Sequence, residues 1–160
     1  MTYQTAVTEG APGAPLLLTF HGTGGSERQF HSFAESLLPG AHIVSPRGDV
    51  SEMGAARFFR RTGEGVYDMA DLARAIEKMA GFIADEKARV GANRVAAFGY
   101  SNGANILAAV ALEHPDLLDD IALMHPLIPW SPDPQPGLKG RAVAAQHPGQ
   151  ADRQAPPPRR

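Results

Sequence analysis

The 160-residue chain contains no cysteine. That absence excludes a disulfide framework, a thiolate metal site and a cysteine nucleophile. There is no surplus of positive charge either: 15 Lys and Arg stand against 17 Asp and Glu, for a formal net charge of −2. Such a balance gives no argument for nucleic acid or an anionic membrane as partner. No apolar run approaches the roughly 20 residues of a membrane span. Met1-Thr2-Tyr3-Gln4 lacks the basic and apolar regions of a secretory signal, so a cytoplasmic location is the default expectation. No grouping of His, Asp and Glu has metal-ligand spacing, and no metal or cofactor is expected. No internal repeat is visible.

What is present suits one globular domain. The hydrophobic fraction is 43%, ordinary for a packed chain, and the length allows a sizeable core. Composition shifts late: nine of the 14 prolines lie between Pro126 and Pro158, and Val143 is the only large aliphatic residue from Arg141 to Arg160. A segment of that kind buries too little apolar surface to offset its ordering entropy. The expected division is a folded domain over residues 1–140, with its core at about 14–130, and a weakly ordered tail over 141–160.

Along the chain, short apolar runs alternate with helical periods. Tyr3–Val7 reads as a short edge strand. Leu16-Leu17-Leu18-Thr19-Phe20 reads as a buried strand. Ser26 is the expected N-cap of a helix to about Leu38, with Phe30, Phe33, Ala34 and Leu37 on its buried face. Ala41–Ser45 is the next strand. Residues 46–67 show no period. Asp68 caps a long helix closed by Gly91, with Met69, Leu72, Ala73, Ile76, Met79, Ala80 and Ile83 inward. Val95–Phe98 and Asp120–His125 are the last strands, separated by a helix from Ala104 to Glu113. This order predicts an α/β fold with a mostly parallel sheet and helices on both faces. Ligands of such sheets bind where the strands end at their carboxyl edge. The loops after Phe20, Ser45, Phe98 and Met124 all open there.

Phe98-Gly99-Tyr100-Ser101-Asn102-Gly103-Ala104 is the stretch that carries chemistry. Gly99-x-Ser101-x-Gly103 between a strand and a helix is the nucleophile-elbow pattern, which exposes the serine hydroxyl at a helix N-terminus. Glycines flank it because a side chain there would strike the neighbouring strand or helix. His21-Gly22-Thr23-Gly24-Gly25 follows the first core strand. With structural glycines at Gly22 and Gly24, the Thr23 N–H can join the Asn102 N–H as the two donors that acyl transfer needs for its oxyanion. The loop lacks the Lys-Ser/Thr of a P-loop and the spacing of a dinucleotide fold; a plain strand-to-helix turn is the alternative.

The loop His21–Gly25, the turn Ser45-Pro46-Arg47-Gly48, the segment Arg57-Phe58-Phe59-Arg60-Arg61 with Tyr67-Asp68, the elbow and His125-Pro126-Leu127-Ile128-Pro129-Trp130 together resemble the phospholipase/carboxylesterase family of small α/β-hydrolases. The resemblance spans roughly residues 14–140. It implies the α/β-hydrolase fold and a serine hydrolase of small-molecule carboxylic esters or thioesters. It also implies a triad aspartate and histidine late in the chain. Gly149–Pro156 only echoes the aspartate loop, with Asp152 the candidate acid, and nothing matches the histidine. The ending therefore reads as C-terminally truncated or frame-shifted, which leaves activity in doubt.

A serine hydroxyl is a poor nucleophile without a base. Of the six histidines, His21 is expected to brace the oxyanion loop, His31 to sit on a helix, and His42 and His114 to lie at the far edge. His147 is in the tail. His125, at the carboxyl edge beside the elbow strand, is the fallback base. Arg47, Arg57, Arg60 and Arg61 either hold an anionic substrate group or are solvated and paired with Glu52, Glu64 or Asp68. Phe58 and Phe59 either line an acyl pocket or pin a loop to the core. Two readings remain: a serine hydrolase, or a non-catalytic remnant or binding module that keeps the fold. Loss of the final strands would leave the 120–125 strand as an uncovered edge, open to homodimer formation or aggregation.

Overall fold

The computed structural model describes residues 2–146. Its elements, in chain order, are β1 (Thr5–Thr8), β2 (Leu16–Phe20), α1 (His31–Leu37), β3 (His42–Pro46), β4 (Val50–Glu52), β5 (Ala55–Arg57), β6 (Arg61–Gly63), β7 (Val66–Tyr67), α2 (Met69–Val90), β8 (Val95–Tyr100), α3 (Asn102–Glu113), β9 (Asp120–Met124) and β10 (Ala142–Gln146). The main sheet runs β1-β3-β2-β8-β9-β10. Only β1 is antiparallel to its neighbour. No described helix is long and apolar enough to cross a membrane.

The pleat of β2 explains its unbroken apolar run. Leu16, Leu18 and Phe20 face α2 and α3, while Leu17 faces α1. Successive side chains point to opposite faces, so a strand covered on both needs apolar residues throughout. Helix α2 is capped as its sequence indicates: Asp68 Oδ1 accepts the Asp71 N–H at 3.0 Å, and Gly91 closes it at φ 65°. Leu72, Ile76, Met79, Ala80 and Ile83 are buried, joined by Ala75 and Phe82, whereas Met69 and Ala73 are exposed. In α3 every residue from Asn102 to Ala111 is buried, so this helix is covered on all sides.

Three expectations need correction. The first helix begins at His31, not after Ser26. Residues 26–30 form turns, with the Ser26 hydroxyl accepting the Arg28 N–H at 3.2 Å. Gln29 is held back because its Oε1 accepts the Gly22 N–H at 3.1 Å. Of the four apolar positions there, only Ala34 is buried; Phe33 and Leu37 are each 57% exposed. Second, residues 46–67 contain two small hairpins, β4–β5 and β6–β7. Strands of two or three residues are too short to show a period. Third, the 120–125 strand is not an edge: β10 pairs along all of β9 in parallel. The regular structure therefore passes residue 140, and among the described residues the outermost strand on that side is β10, whose five residues are all exposed. Residues 147–160 of the expected tail lie outside the described residues.

A polar relay crosses the α1 side of the sheet. Thr19 Oγ1 donates to Ser45 Oγ at 2.6 Å. Ser45 Oγ lies 2.8 Å from His31 Nδ1, and His31 Nε2 lies 2.9 Å from Thr8 Oγ1. With Thr19 as donor, Ser45 gives its proton to Nδ1, and Nε2–H donates to Thr8. Only neutral His31 satisfies that order. Burial holds its pKa below the ordinary imidazole value, with Glu35 opposing and Arg28 reinforcing. Burial likewise lowers His21, against its bond to Gly22.

Two outcomes are expected. A depressed imidazole contributes stability that is complete above its unfolded pKa, about 6.5, and is lost as pH falls below that value. The melting temperature is therefore expected to drop between pH 7.5 and 5.5, and to drop less in His31→Gln; a flat profile in the wild type contradicts the assignment. The β10 edge, the outermost of the described strands, with Leu37 and Val143 exposed along one groove beside it, is expected to make this chain associate. Light scattering after size exclusion at two concentrations, showing a monomer at both, would count against that.

Candidate functional site

β2 and β8 are paired neighbours, with Phe20 opposite Gly99. Their exit loops therefore start side by side, His21–Gly25 from one and Ser101 from the other. Ser101 has φ 51° and ψ −116°, a strained combination for a side-chain-bearing residue that costs on the order of 1–3 kcal/mol. It is partly exposed, stands between β8 and α3, and donates its N–H to Met124 O at 2.9 Å. The glycines on either side permit this turn. A Cβ at Gly103 would collide with the backbone carbonyls of Phe20 and His21, and one at Gly99 would lie 2.6 Å from Gly103 O.

The His21 loop is stitched to its surroundings. His21 Nε2 accepts the Gly48 N–H at 2.9 Å, so Nδ1 carries the proton it gives to Gly22 O at 2.7 Å. The ring is buried and packs on Phe58 with centroids 4.7 Å apart. His21 is thus a brace. Gly24 takes φ 81° and donates its N–H to Ala56 O at 3.0 Å. Thr23 is exposed at the loop's tip. Asn102 is 1% exposed; its Oδ1 accepts the Phe58 N–H at 2.7 Å, while its buried Nδ2 has no partner.

Of the two readings of Phe58 and Phe59, their burial favours the one that pins a loop to the core. Both are 0% exposed; Phe58 packs on Phe20 and His21, and Phe59 on Tyr67. They pin the 55–59 segment. Arg57 is likewise not a solvated arginine: it is 3% exposed and bonded to Thr23 Oγ1 and Phe59 O. Sequence reasoning grouped it with its neighbours because four arginines within 15 positions look alike without burial. Arg61 does pair with Glu52, at 3.0 Å. Arg47 Nη1 is 3.7 Å from Glu27 Oε2.

His125 follows β9 with φ 55°; its ring lies 5.5 Å from that of Tyr100, and its N–H donates to Gln146 O at 2.6 Å. The other described histidines are engaged elsewhere: His31 in the relay, His42 accepting from the Gly10 N–H, and His114 against Glu77. Asp152 and His147 lie outside the described residues. Among the described residues no group of three or more His, Asp and Glu is placed to hold a metal.

The model of the alpha/beta hydrolase fold family matches residues 15–159. The chain is 40% identical over 130 residues to MhqD of Bacillus subtilis (strain 168), a protein named as a hydrolase. That match covers 80% of this chain, which spans only 65% of MhqD's length. Among solved structures, Atu2452 of Agrobacterium tumefaciens, a protein of unknown function, superposes with a TM-score of 0.86 at 55% identity, over 89% of this chain and 70% of that one. The Bacillus cereus carboxylesterase does so with a TM-score of 0.82 at 34% identity, over 89% and 69%.

The steric account of the elbow makes a stability prediction. Gly103→Ala drives a Cβ into two backbone carbonyls and is expected to cost about 1–3 kcal/mol, as overpacking does. Gly81→Ala, in the interior of α2 with nothing within 4 Å of its Cβ, is expected to be neutral or stabilising by about 0.5–1 kcal/mol. Urea melts of the two variants decide; equal midpoints would remove the close approach as the reason for glycine at 103.

Proposed function

From the premise that this chain belongs to the alpha/beta hydrolase fold family, we propose that it is a serine hydrolase of carboxylic esters or thioesters. Ser101 Oγ attacks the acyl carbonyl as its proton passes to a base; the ester C–O or thioester C–S bond breaks, the alcohol or thiol leaves with that proton, and water hydrolyses the acyl-enzyme to the carboxylic acid and free serine. The Thr23 and Asn102 N–H groups receive the charge that develops on the carbonyl oxygen. One observation carries the reading: Ser101 is held at φ 51° between β8 and the start of α3, on the edge where the β2 loop also opens. Strain of this kind persists only where surrounding packing enforces it, and it falls on the residue at the start of α3, where helix N–H groups favour developing negative charge. The likeness to the Bacillus cereus carboxylesterase supports the substrate class. The default expectation of a cytoplasmic location accompanies this reading, with no cofactor in the scheme.

A second reading, a non-catalytic binding module on the same fold, is favoured by a different observation. No described histidine hydrogen-bonds Ser101, and four of the five have ring nitrogens engaged elsewhere. His125 is the remaining candidate base within residues 2–146, and Asp152 the candidate acid outside them.

A fluorophosphonate probe together with p-nitrophenyl butyrate turnover separates the readings. The hydrolase reading expects labelling that vanishes in Ser101→Ala. Where a serine hydrolase lacks part of its triad, the oxyanion hole and binding alone sustain about 10³–10⁴ over the uncatalysed rate, so slow turnover is expected if no base reaches Ser101. Fast turnover lost in His125→Ala assigns the base to His125. Neither labelling nor turnover supports the binding module.

A further inference from the structure

The 55–59 segment joins two parts of the site that lie far apart in sequence. Arg57 Nη1 donates to Thr23 Oγ1 at 2.7 Å, and its Nε donates to Phe59 O at 3.0 Å. The guanidinium stands 5.6 Å from the Phe59 ring centroid, with Glu52 Oε2 3.6 Å from Nε. The next residue, Phe58, donates its N–H to Asn102 Oδ1 at 2.7 Å. The preceding residue, Ala56, accepts the Gly24 N–H at 3.0 Å. Three consecutive residues thus grip the 21–25 loop on one side and the elbow on the other.

We propose that Arg57 is a positioning residue for the oxyanion hole, whose guanidinium fixes Thr23 against the segment that also holds Asn102. The inference rests on the serine-hydrolase reading above. Glycines surround Thr23 on both sides, and Thr23 and Gly24 are exposed; a loop of that composition has wide conformational freedom. Oxyanion donors must nevertheless converge to 2.7–3.1 Å of one oxygen, with placement good to about 0.5 Å. The Gly24 bond to Ala56 fixes the loop just past Thr23, and the guanidinium fixes Thr23 itself. The planar fork of arginine suits the task because two donors leave it in different directions, one to each partner. A lysine ammonium at the end of a flexible stem cannot hold both. The cation remains paired in its buried setting because Glu52 faces it, a carboxylate it shares with Arg61 Nε at 3.0 and 3.2 Å.

Two measurements test this, one independent of activity. In hydrogen exchange, Arg57→Lys and Thr23→Val are each expected to speed exchange of the 21–25 amides by several-fold, with α2 and β8 unchanged. Thr23→Val alters an exposed position, keeps the backbone donor and removes only the acceptor, so it tests the clamp even if substitutions at 57 unfold the chain. In fluorophosphonate labelling of Ser101 and ester turnover, both variants are expected to lose roughly 10- to 100-fold in rate, less than the 10²–10³ of a deleted donor, with KM little changed. The double variant is expected to lose no more than the worse single one, since both break one contact. Unchanged loop exchange overturns the clamp. Labelling and turnover at wild-type rates, or losses that multiply in the double variant, overturn the positioning role. A wild-type chain that is neither labelled nor active refutes the hydrolase reading instead, and the exchange comparison still decides the clamp.

Discussion

The approach of α3 to the end of β2 is the constraint on which the rest of the site depends. Gly103 lies so near Phe20 and His21 that no side chain fits between them. That proximity lets a helix begin directly against the carboxyl edge of the sheet, and it forces the chain to reverse within Ser101. The strain at Ser101 is sustained because α3 is buried from Asn102 to Ala111. Relaxing the serine would mean withdrawing Ile106, Leu107 and Val110, each 0% exposed, from the core. Fully burying one aliphatic side chain is worth about 1.5–3 kcal/mol, so three together outweigh a strain of about 1–3 kcal/mol.

Packing alone does not arrange the loops around that serine. The 21–25 loop is short, rich in glycine and without an apolar side chain, and side-chain hydrogen bonds tie it and its neighbours together. His21 ties its own loop to Gly48, Gln29 reaches back to Gly22, and Asn102 holds Phe58. Buried hydrogen bonds of this kind contribute roughly 0.5–1.5 kcal/mol each in net terms, but a partner left unsatisfied costs more. The loops therefore hold their positions as a set. Phe58 links the two modes, since its ring is core and its amide is part of the site.

This division explains what could be read from the residues. β2, β8, α2 and the elbow were legible because each is specified locally, by an apolar run, a 3.6-residue period with an Asp68 cap and a Gly91 stop, or glycines at fixed spacing. The start of α1 was not, because Gln29 answers to Gly22 rather than to its own helix. Arg57 and Phe58 were not, because their partners, Thr23 and Asn102, are 34 and 44 positions away and no local pattern reports burial. β10 was missed for a further reason. Ala142–Gln146 has a single β-branched residue, Val143, among alanines, and its strand conformation follows from pairing along β9, a tertiary cause.

Sheet order also constrains where a base can stand. The nucleophile of an acyl-transfer site lies between its oxyanion donors and its base, since the proton leaves the hydroxyl on the side away from the developing oxyanion. On the β2 side of Ser101, the 21–25 loop, the 55–59 segment and Asn102 are bonded to one another, and His21 there has both ring nitrogens occupied. The opposite side is that of β9 and β10. There Ser101 N–H is tied to Met124 O and His125 N–H to Gln146 O, so the elbow and both strand ends are held together by backbone bonds. His125 is the described histidine on that side. Its positive φ turns the chain just where β9 ends, which sets its ring against Tyr100, the residue before the nucleophile. Under the proposed serine-hydrolase reading, a base therefore belongs on the β9–β10 side of Ser101 and the donors on the β2 side.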